Sequence, residues 1–304
     1  MGCITMTDKL ADLQKRLREL DRVVVAFSGG VDSTFLLRAA WDVLGDRVVA
    51  ITAVSTVDPR EEIESAEKMA RAIGVKHIVV QSDQMEDERF VSNPAERCYF
   101  CKSWVFGKLA DIAKELGNYT VVDGSNADDR NDYRPGMKAN RELGILSPLQ
   151  EVGFTKKEIR AFSREWGLPT WNQPSLACLA SRIPYGTRII PEILERIDAS
   201  ETVIRELGFA QVRVRHHGNV ARIELPAGEL GKFVQSAADN GLVAKLKSIG
   251  YAYVTLDLEG YRTGSLNEVL EPETISGFVH PRHFEYLHSS SAVLSIKKPD
   301  ADIL

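Results

Sequence analysis

The sequence predicts an α/β protein, a doubly wound parallel sheet joined to a second, smaller α+β domain. Three observations predict it. Short β-branched runs alternate with amphipathic helical segments up to about residue 166, the rhythm of parallel sheets covered by helices on both faces. A glycine-rich turn, Ser28-Gly29-Gly30, joins the first of those runs to a helix. After Pro184-Tyr185-Gly186 the texture changes to alternating strands around a His-Gly-Asn turn.

In order, a helix over 8–20 precedes the strand "RVVVAF" (22–27), and the turn opens the helix "DSTFLLRAAWDVL", whose apolar residues recur at helical spacing and which Gly45 stops. Strand "RVVAITAVS", helix "PREEIESAEKMARAIG", strand "KHIVVQS", a helix around 102–116, strand "YTVVDGS" and the segment "ILSPLQE" follow, then a helix over 155–166. In the second unit a helix over 191–207 leads to two strands in "AQVRVRHHGNVARIEL", a helix over 227–248 and the strand "YAYVTLDL", the order α-β-β-α-β. Residues 1–187 and 188–270 therefore read as two domains. Residues 271–304, with Pro, Ser and Lys scattered and little periodicity, read as a partly mobile tail.

At 304 residues and 44% hydrophobic content the chain is long enough for two cores, since single cores stop growing near about 250–300 residues. A formal net charge of −5 argues against wholesale binding of nucleic acid or anionic lipid and leaves room for a local anion site. The N-terminal stretch has no apolar signal core, and no segment approaches the roughly 20 apolar residues of a membrane span. A cytoplasmic protein without a membrane partner is expected. Met1-Gly2-Cys3 superficially suggests lipidation, but Met6 stands where the acylation pattern wants Ser or Thr. Four cysteines, two of them in Cys98-x-x-Cys101, do not make a disulfide scaffold in a chain this long and read as ligands or reactive thiols.

Ser28-Gly29-Gly30 followed by Asp32-Ser33 makes a cradle for an anion: backbone N–H groups converge on an electropositive helix start, and glycine lets the backbone approach closely. The plainer alternative is a strand-to-helix turn capped by Ser and Asp. Neither G-x-x-x-x-G-K-[ST] nor G-x-G-x-x-G is present, so neither a Walker-type hydrolase nor a dinucleotide fold is indicated. "SGGVDS" resembles the PP-loop of the ATP pyrophosphatase superfamily, whose fold is Rossmann-like. The resemblance implies that ATP is split between its α- and β-phosphates, that a substrate oxygen is adenylated, and that pyrophosphate sits in the turn with Mg²⁺; Asp32 is the candidate partner of the magnesium or of a phosphate-bound water. It also sets Ala53 to Ser55, at the end of the second strand, beside the adenine.

Cys98 and Cys101 can share one metal or form one disulfide, and Cys178 ends the same domain. Zinc would want a fourth ligand, and His77, the nearest histidine in sequence, has no helpful spacing. A redox dithiol needs only the pair and leaves Cys178 unexplained. Three thiolates on a four-iron cluster leave one iron open for an external sulfide. Buried packing, common for cysteine, is the remaining reading.

Taken together, "AFSGGVDS", "NPAERCYFCK", "DGSNADDRNDYRPG", "SPLQEVGFTKKEIR", "GLPTWNQPSLACLASRIPYG" and "VRVRHHGNVARIEL" resemble the LarE family of ATP-dependent sulfurtransferases across most of residues 15–270. The resemblance implies a pyridinium-3,5-biscarboxylic acid mononucleotide as substrate, its two carboxylates converted in turn to thiocarboxylates on the way to a nickel-pincer nucleotide cofactor. Members come in two forms. In one, a cysteine at the place of Cys178 gives up its own sulfur and is left as dehydroalanine. In the other, cysteines matching Cys98, Cys101 and Cys178 hold a [4Fe-4S] cluster whose free iron binds hydrosulfide. All three cysteines are present here, so the cluster form is expected, with these three as both catalytic and iron-binding residues.

"DGSNADDRNDYRPG" follows a predicted strand and so lies at the carboxyl edge of the sheet. Asp128 and Asp129 are candidates to hold Mg²⁺ or orient Arg130 and Arg134, against the plainer reading of a solvated loop. Lys102 follows Cys101, and Ser181-Arg182 follow Cys178; either cation can lower a thiolate pKa or hold phosphate. Arg213 and Arg215 alternate on one strand and share a face, which suits a phosphate unless that face is simply exposed. The resemblance adds Glu201, Glu224 and Arg262 as positions that border the site or hold the substrate's phosphate. His216 and His217 read as turn residues.

The expectation is an enzyme that binds ATP in its first domain and grips a small nucleotide substrate with its second, which also mediates homo-oligomer contacts. The resemblance suggests a trimer or hexamer, and the sulfide source is unspecified. A tRNA thiolase of the same superfamily would need an extended basic surface, so no nucleic-acid partner is expected. A sensor without turnover is the third possibility, and pyrophosphate release separates it from the enzymes.

Overall fold

A computed structural model describes residues 6–131, 135–174 and 177–270; the tail from 271 and the N-terminal Cys3 lie outside the described residues. Helix α1 (Met6–Leu20) precedes β1 (Val23–Ala26), α2 (Val31–Leu44), β2 (Val48–Val54), α3 (Arg60–Ile73) and β3 (Lys76–Gln81). The short α4 (Glu88–Val91), the long α5 (Arg97–Glu115), β4 (Thr120–Val122), α6 (Gly136–Glu142), α7 (Pro148–Glu151) and α8 (Lys156–Glu165) complete the first unit. α9 (Pro191–Glu206), β5 (Arg213–His217), β6 (Val220–Glu224), α10 (Leu230–Asp239), α11 (Leu242–Ile249) and β7 (Tyr253–Leu256) form the second.

The first sheet is parallel, in the order β3-β2-β1-β4. Branching at Cβ favours extended backbone, and successive side chains go to opposite faces. Val23, Val25, Val48 and Ala50 therefore meet α1, α2 and α8, while Val24, Val49, Ile51 and Val121 meet α5 through Phe106 and Leu109. Both faces are covered, as parallel strands require. Strand order reverses between β1 and β4, and the crevice outside their carboxyl ends is where such folds take ligands.

The second sheet pairs β5 with β6 antiparallel and β6 with β7 parallel around Phe209, Val214, Ile223 and Tyr251. The helix expected over 227–248 is two helices: Asn240 closes the first by donating to Ser236 O at 2.9 Å, and Gly241, at φ 61°, starts the second. A left-handed residue cannot continue a helix. The helix expected around 102–116 begins five residues earlier, so both cysteines of the C-x-x-C stand in its first two turns. A third apolar cluster joins Val57, Phe90, Val91, Leu179, Ile183 and Leu194, with Cys101 and Cys178 packed against it.

Candidate active site

The turn after β1 has a backbone only glycine fits. Gly29 sits at φ 73°, and a Cβ there would stand 2.9 Å from the Cα of Ala66. Gly30 precedes α2 with no side-chain cap, so the helix's first amides remain available to an anion. Ser28 Oγ lies 3.1 Å from Ser33 Oγ, which donates to Gly30 O at 3.3 Å. From the next strand over, Gly124 packs so tightly on α2 that a Cβ would lie 2.9 Å from Ser33 N.

These approaches leave a cavity of about 450 Å³ at the carboxyl ends of β1, β2 and β4. Ser28, Gly29, Gly30, Asp32, Ser33 and Ala53 line it, as do Lys102 and Asp129. Ser55 and Asp128 are not among the lining residues. Ser55 Oγ accepts from Gln84 Nε2 at 2.7 Å, and its backbone N–H donates to Asp58 Oδ2 at 3.0 Å; Asp128 Oδ2 accepts the backbone N–H of Lys156 at 2.9 Å. Arg134 and the Arg130 side chain lie outside what is described.

Four residues of the site were not singled out as ATP or sulfur ligands from sequence. Lys156, first residue of α8, donates to Asp32 Oδ2 at 2.6 Å across the cavity. Asp32 Oδ1 is buried with no donor, an acceptor left for a cation. Asp123, buried at the end of β4, accepts from Ser125 Oγ (2.7 Å), Asn140 Nδ2 (2.7 Å) and Ser147 Oγ (2.6 Å), with Lys102 Nζ at 3.8 Å. Lys102 is held in a slot closed by Gly136, where a Cβ would lie 2.5 Å from its Cδ. Asp58 lines the same cavity; burial pushes its carboxyl up to about 6 despite two hydrogen bonds from Ser55. Arg97, buried beside Cys98, is the fourth. One local signal was available: Lys156 and Arg97 both sit at the first position of a helix, where a cation opposes the helix dipole.

The structure brings the three cysteines into one neighbourhood. Cys101 lines the cavity beside the glycine turn, and Leu179 N donates to Val57 O at 2.8 Å, tying the Cys178 segment to the loop after β2. Burial, then the charges of Cys178 and Cys98, push the Cys101 thiol well up; burial, then Cys98, push Cys178 up to about 11. Cys98 is exposed and all three are free thiols. Among the described residues no three His, Cys, Asp or Glu side chains gather as the ligands of a single ion. Once deprotonated, three sulfurs in one region would be the soft ligand type that an iron–sulfur cluster takes, each on a separate corner.

Behind Cys178 lies a buried ionic lattice. Arg182 and Glu201, both fully buried, form a two-pronged pair at 2.8 Å, and Arg182 Nη1 holds the carbonyls of Ala177 and Cys178. Glu201 also accepts from Arg205 and from Val214 N; burial alone would raise its carboxyl, but the Arg182 guanidinium holds it below the usual value. Arg215 pairs with Glu224 at 2.7 Å and donates to Ser181 O at 2.7 Å and Ser265 Oγ at 2.8 Å. Arg213 lies over the Tyr261 ring, and burial, with Arg182 nearby, lowers it to about 10. Arg262 binds Glu268 at 3.1 Å at the rim. The two strand arginines thus share a face as expected, but that face is buried. Arg182, Arg215, Glu201 and Glu224 spend contacts on locking the Cys178 segment to the second unit.

Comparison with known proteins agrees with this geometry. Residues 22–169 match the arginosuccinate synthase N-terminal HUP domain family. An uncharacterised protein of Synechocystis sp. is 47% identical over 265 residues, 87% of this chain and 99% of that protein. The pyridinium-3,5-bisthiocarboxylic acid mononucleotide synthase of Lactiplantibacillus plantarum is 40% identical over 275 residues, 90% of this chain and 99% of that enzyme. An argininosuccinate synthase of Methanocaldococcus jannaschii is 27% identical over 161 residues, 48% of this chain and 40% of that one. The sheet, the glycine turn and the cavity define an ATP-using enzyme of the PP-loop ATP pyrophosphatase class. Within that class the chain belongs to the LarE family of ATP-dependent sulfurtransferases. No helix of the described residues is long and apolar enough to cross a membrane.

Proposed function

We propose that this enzyme adenylates the carboxylates of pyridinium-3,5-biscarboxylic acid mononucleotide and replaces the activated oxygen with sulfur. One observation carries the reading: Cys101 and Lys102 line the same cavity as the phosphate turn, so an acyl group activated there lies beside sulfur. The relative from L. plantarum is named for the corresponding dithio product. A carboxylate oxygen attacks the α-phosphorus, and pyrophosphate leaves into the amides of α2 and the ammonium of Lys156. Sulfur then attacks the acyl carbon, and AMP departs with the former carboxylate oxygen; one difficult substitution becomes two easier ones. Asp32 would hold Mg²⁺ through its unpartnered oxygen. Cys98, Cys101 and Cys178 would hold a [4Fe-4S] cluster, which when bound supplies an open iron for an external sulfide. Residues 1–187 serve the nucleotide and sulfur chemistry, while 188–270, with Arg213, Arg215, Glu224 and Arg262, grip the substrate nucleotide and build a homo-oligomer.

The test is anaerobic incubation of protein reconstituted with iron and sulfide with ATP, Mg²⁺ and the dicarboxylate mononucleotide, following AMP, pyrophosphate and the product mass, with iron assays on wild type and Cys98→Ala. AMP, thioacid and iron lost in the variant are expected. Absence of AMP and thioacid overturns the proposal. Iron-free protein whose Cys178 loses the mass of H₂S instead shows sacrificial donation.

A further inference from the structure

Arg97 is 3% exposed. Its Nη1 donates to Asn93 Oδ1 at 2.9 Å, its Cζ lies 4.6 Å from the centre of the Tyr185 ring, and its Nε is buried without an acceptor. Among the described residues no carboxylate forms an ion pair with it. Two other buried arginines have carboxylates, Glu201 on Arg182 and Glu224 on Arg215. A buried charge without a counter-charge is costly, and among the described residues the anionic groups nearest to hand are the cysteine sulfurs or an anion bound beside them. Arg97 directly precedes Cys98, and its partner Asn93 donates to Pro184 O at 2.8 Å and Thr187 O at 2.9 Å, in the segment that follows Cys178 and whose Leu179 and Ile183 pack in one cluster with it. The start of α5 adds its partial positive charge there. On the other side Cys178 packs against the apolar cluster of Phe90, Val91 and Leu179, and a weakly hydrated guanidinium in apolar surroundings suits a soft, weakly hydrated anion.

We propose that Arg97 forms a subsite for a small sulfur monoanion, hydrosulfide, beside Cys98 and Cys178. It rests on the sulfur-transfer reading and deepens it by saying how the sulfur is drawn to the thiols before the acyl group is attacked.

The test uses the full chain, reduced and free of iron, and compares alkylation of Cys178 by anionic iodoacetate and neutral iodoacetamide, read by mass spectrometry. The same thiolate attacks both reagents and displaces iodide, so their rate ratio is independent of the thiol's protonation. Arg97→Gln is expected to lower the iodoacetate-to-iodoacetamide ratio about tenfold, and Arg97→Lys to keep most of it. In wild type, millimolar thiocyanate is expected to depress iodoacetate selectively, a measurement that stands even where Arg97→Gln does not fold. A ratio unmoved by thiocyanate, or by the folded glutamine variant, overturns the proposal. In turnover assays Arg97→Gln is expected to raise KM for sulfide about tenfold with KM for ATP unchanged; a rise confined to the dicarboxylate assigns the subsite to substrate and overturns it. Wild-type turnover indifferent to sulfide sinks the reading of external sulfide, whereas the alkylation ratio still judges Arg97.

Discussion

At the scale of single residues, Lys156 and Asp32 hold each other across the nucleotide cavity at 2.6 Å. A lysine at the first position of a helix opposes the dipole there, and Asp32 offsets that opposition. In the proposed reaction a phosphate in the turn would give Lys156 a second anion and free Asp32 for Mg²⁺. A charge-assisted hydrogen bond contributes about 1.5–3 kcal/mol, so Lys156→Gln is expected to cut kcat/KM for ATP by roughly 10–100-fold, measured by pyrophosphate release. Unaltered ATP use in that variant removes Lys156 from the site. The sequence shows the lysine and the aspartate, but their 124-residue separation hides the pair.

At the scale of elements, the aim of Lys156 depends on how α8 starts. Thr155 Oγ1 accepts from Glu158 N while Glu158 accepts from Thr155 N, a reciprocal cap, and Glu158 is further held by Lys9 of α1 at 2.8 Å. Thr155→Ala is expected to lower stability by about 1 kcal/mol and weaken ATP binding, whereas Thr155→Ser changes both less; chemical denaturation and ATP titration read the two. Gly124→Ala is a harsher change, since its methyl collides with the backbone at Ser33 rather than with a flexible side chain. We expect it to fold with α2 displaced and to lose ATP binding by more than tenfold, which isothermal titration would detect. A variant that binds ATP like wild type shows that the strand edge gives way instead.

Over the whole molecule, the ionic lattice around Glu201 joins the cysteine segment to the second unit. Glu201→Gln takes a buried carboxylate from both Arg182 and Arg205; breaking a buried pair typically costs about 3–5 kcal/mol, so a large drop in unfolding midpoint is expected together with faster alkylation of Cys178. A stable variant with a protected Cys178 denies the lattice this role. Stability against pH has two opposed contributions. Burial, first among the causes, holds His77, His216 and His217 below 6.5, so the unfolded chain binds more protons than the folded one and stability falls as pH drops through 6.5. Asp58, raised from 3.8 to about 6, holds a proton that the unfolded chain has lost, so its contribution rises as pH drops from 6 toward 3.8. Asp58→Asn removes only the second, and its acid loss between pH 7.5 and 5 is expected to exceed that of wild type by about 1 kcal/mol in urea titrations. Equal losses would show that Asp58 titrates normally.

Much of this was legible in the chain itself. The strand-helix alternation, the glycine turn and the Cys98-x-x-Cys101 pair are each signals written within a few residues, and each maps onto local backbone geometry: apolar period, a required positive φ at Gly29, a spacing of three on one helix face. Two misjudged boundaries, the start of α5 and the break at Gly241, are also local, but there neighbouring packing and one left-handed residue outweighed helical periodicity. Which polar side chains would be buried, and opposite what, was decided by tertiary structure alone. Lys156 meets Asp32, Asp58 enters the nucleotide cavity, Arg182 takes Glu201, and Arg97 is enclosed with no carboxylate, because charge energies depend on distance and burial between segments far apart in the chain, and only folding sets either.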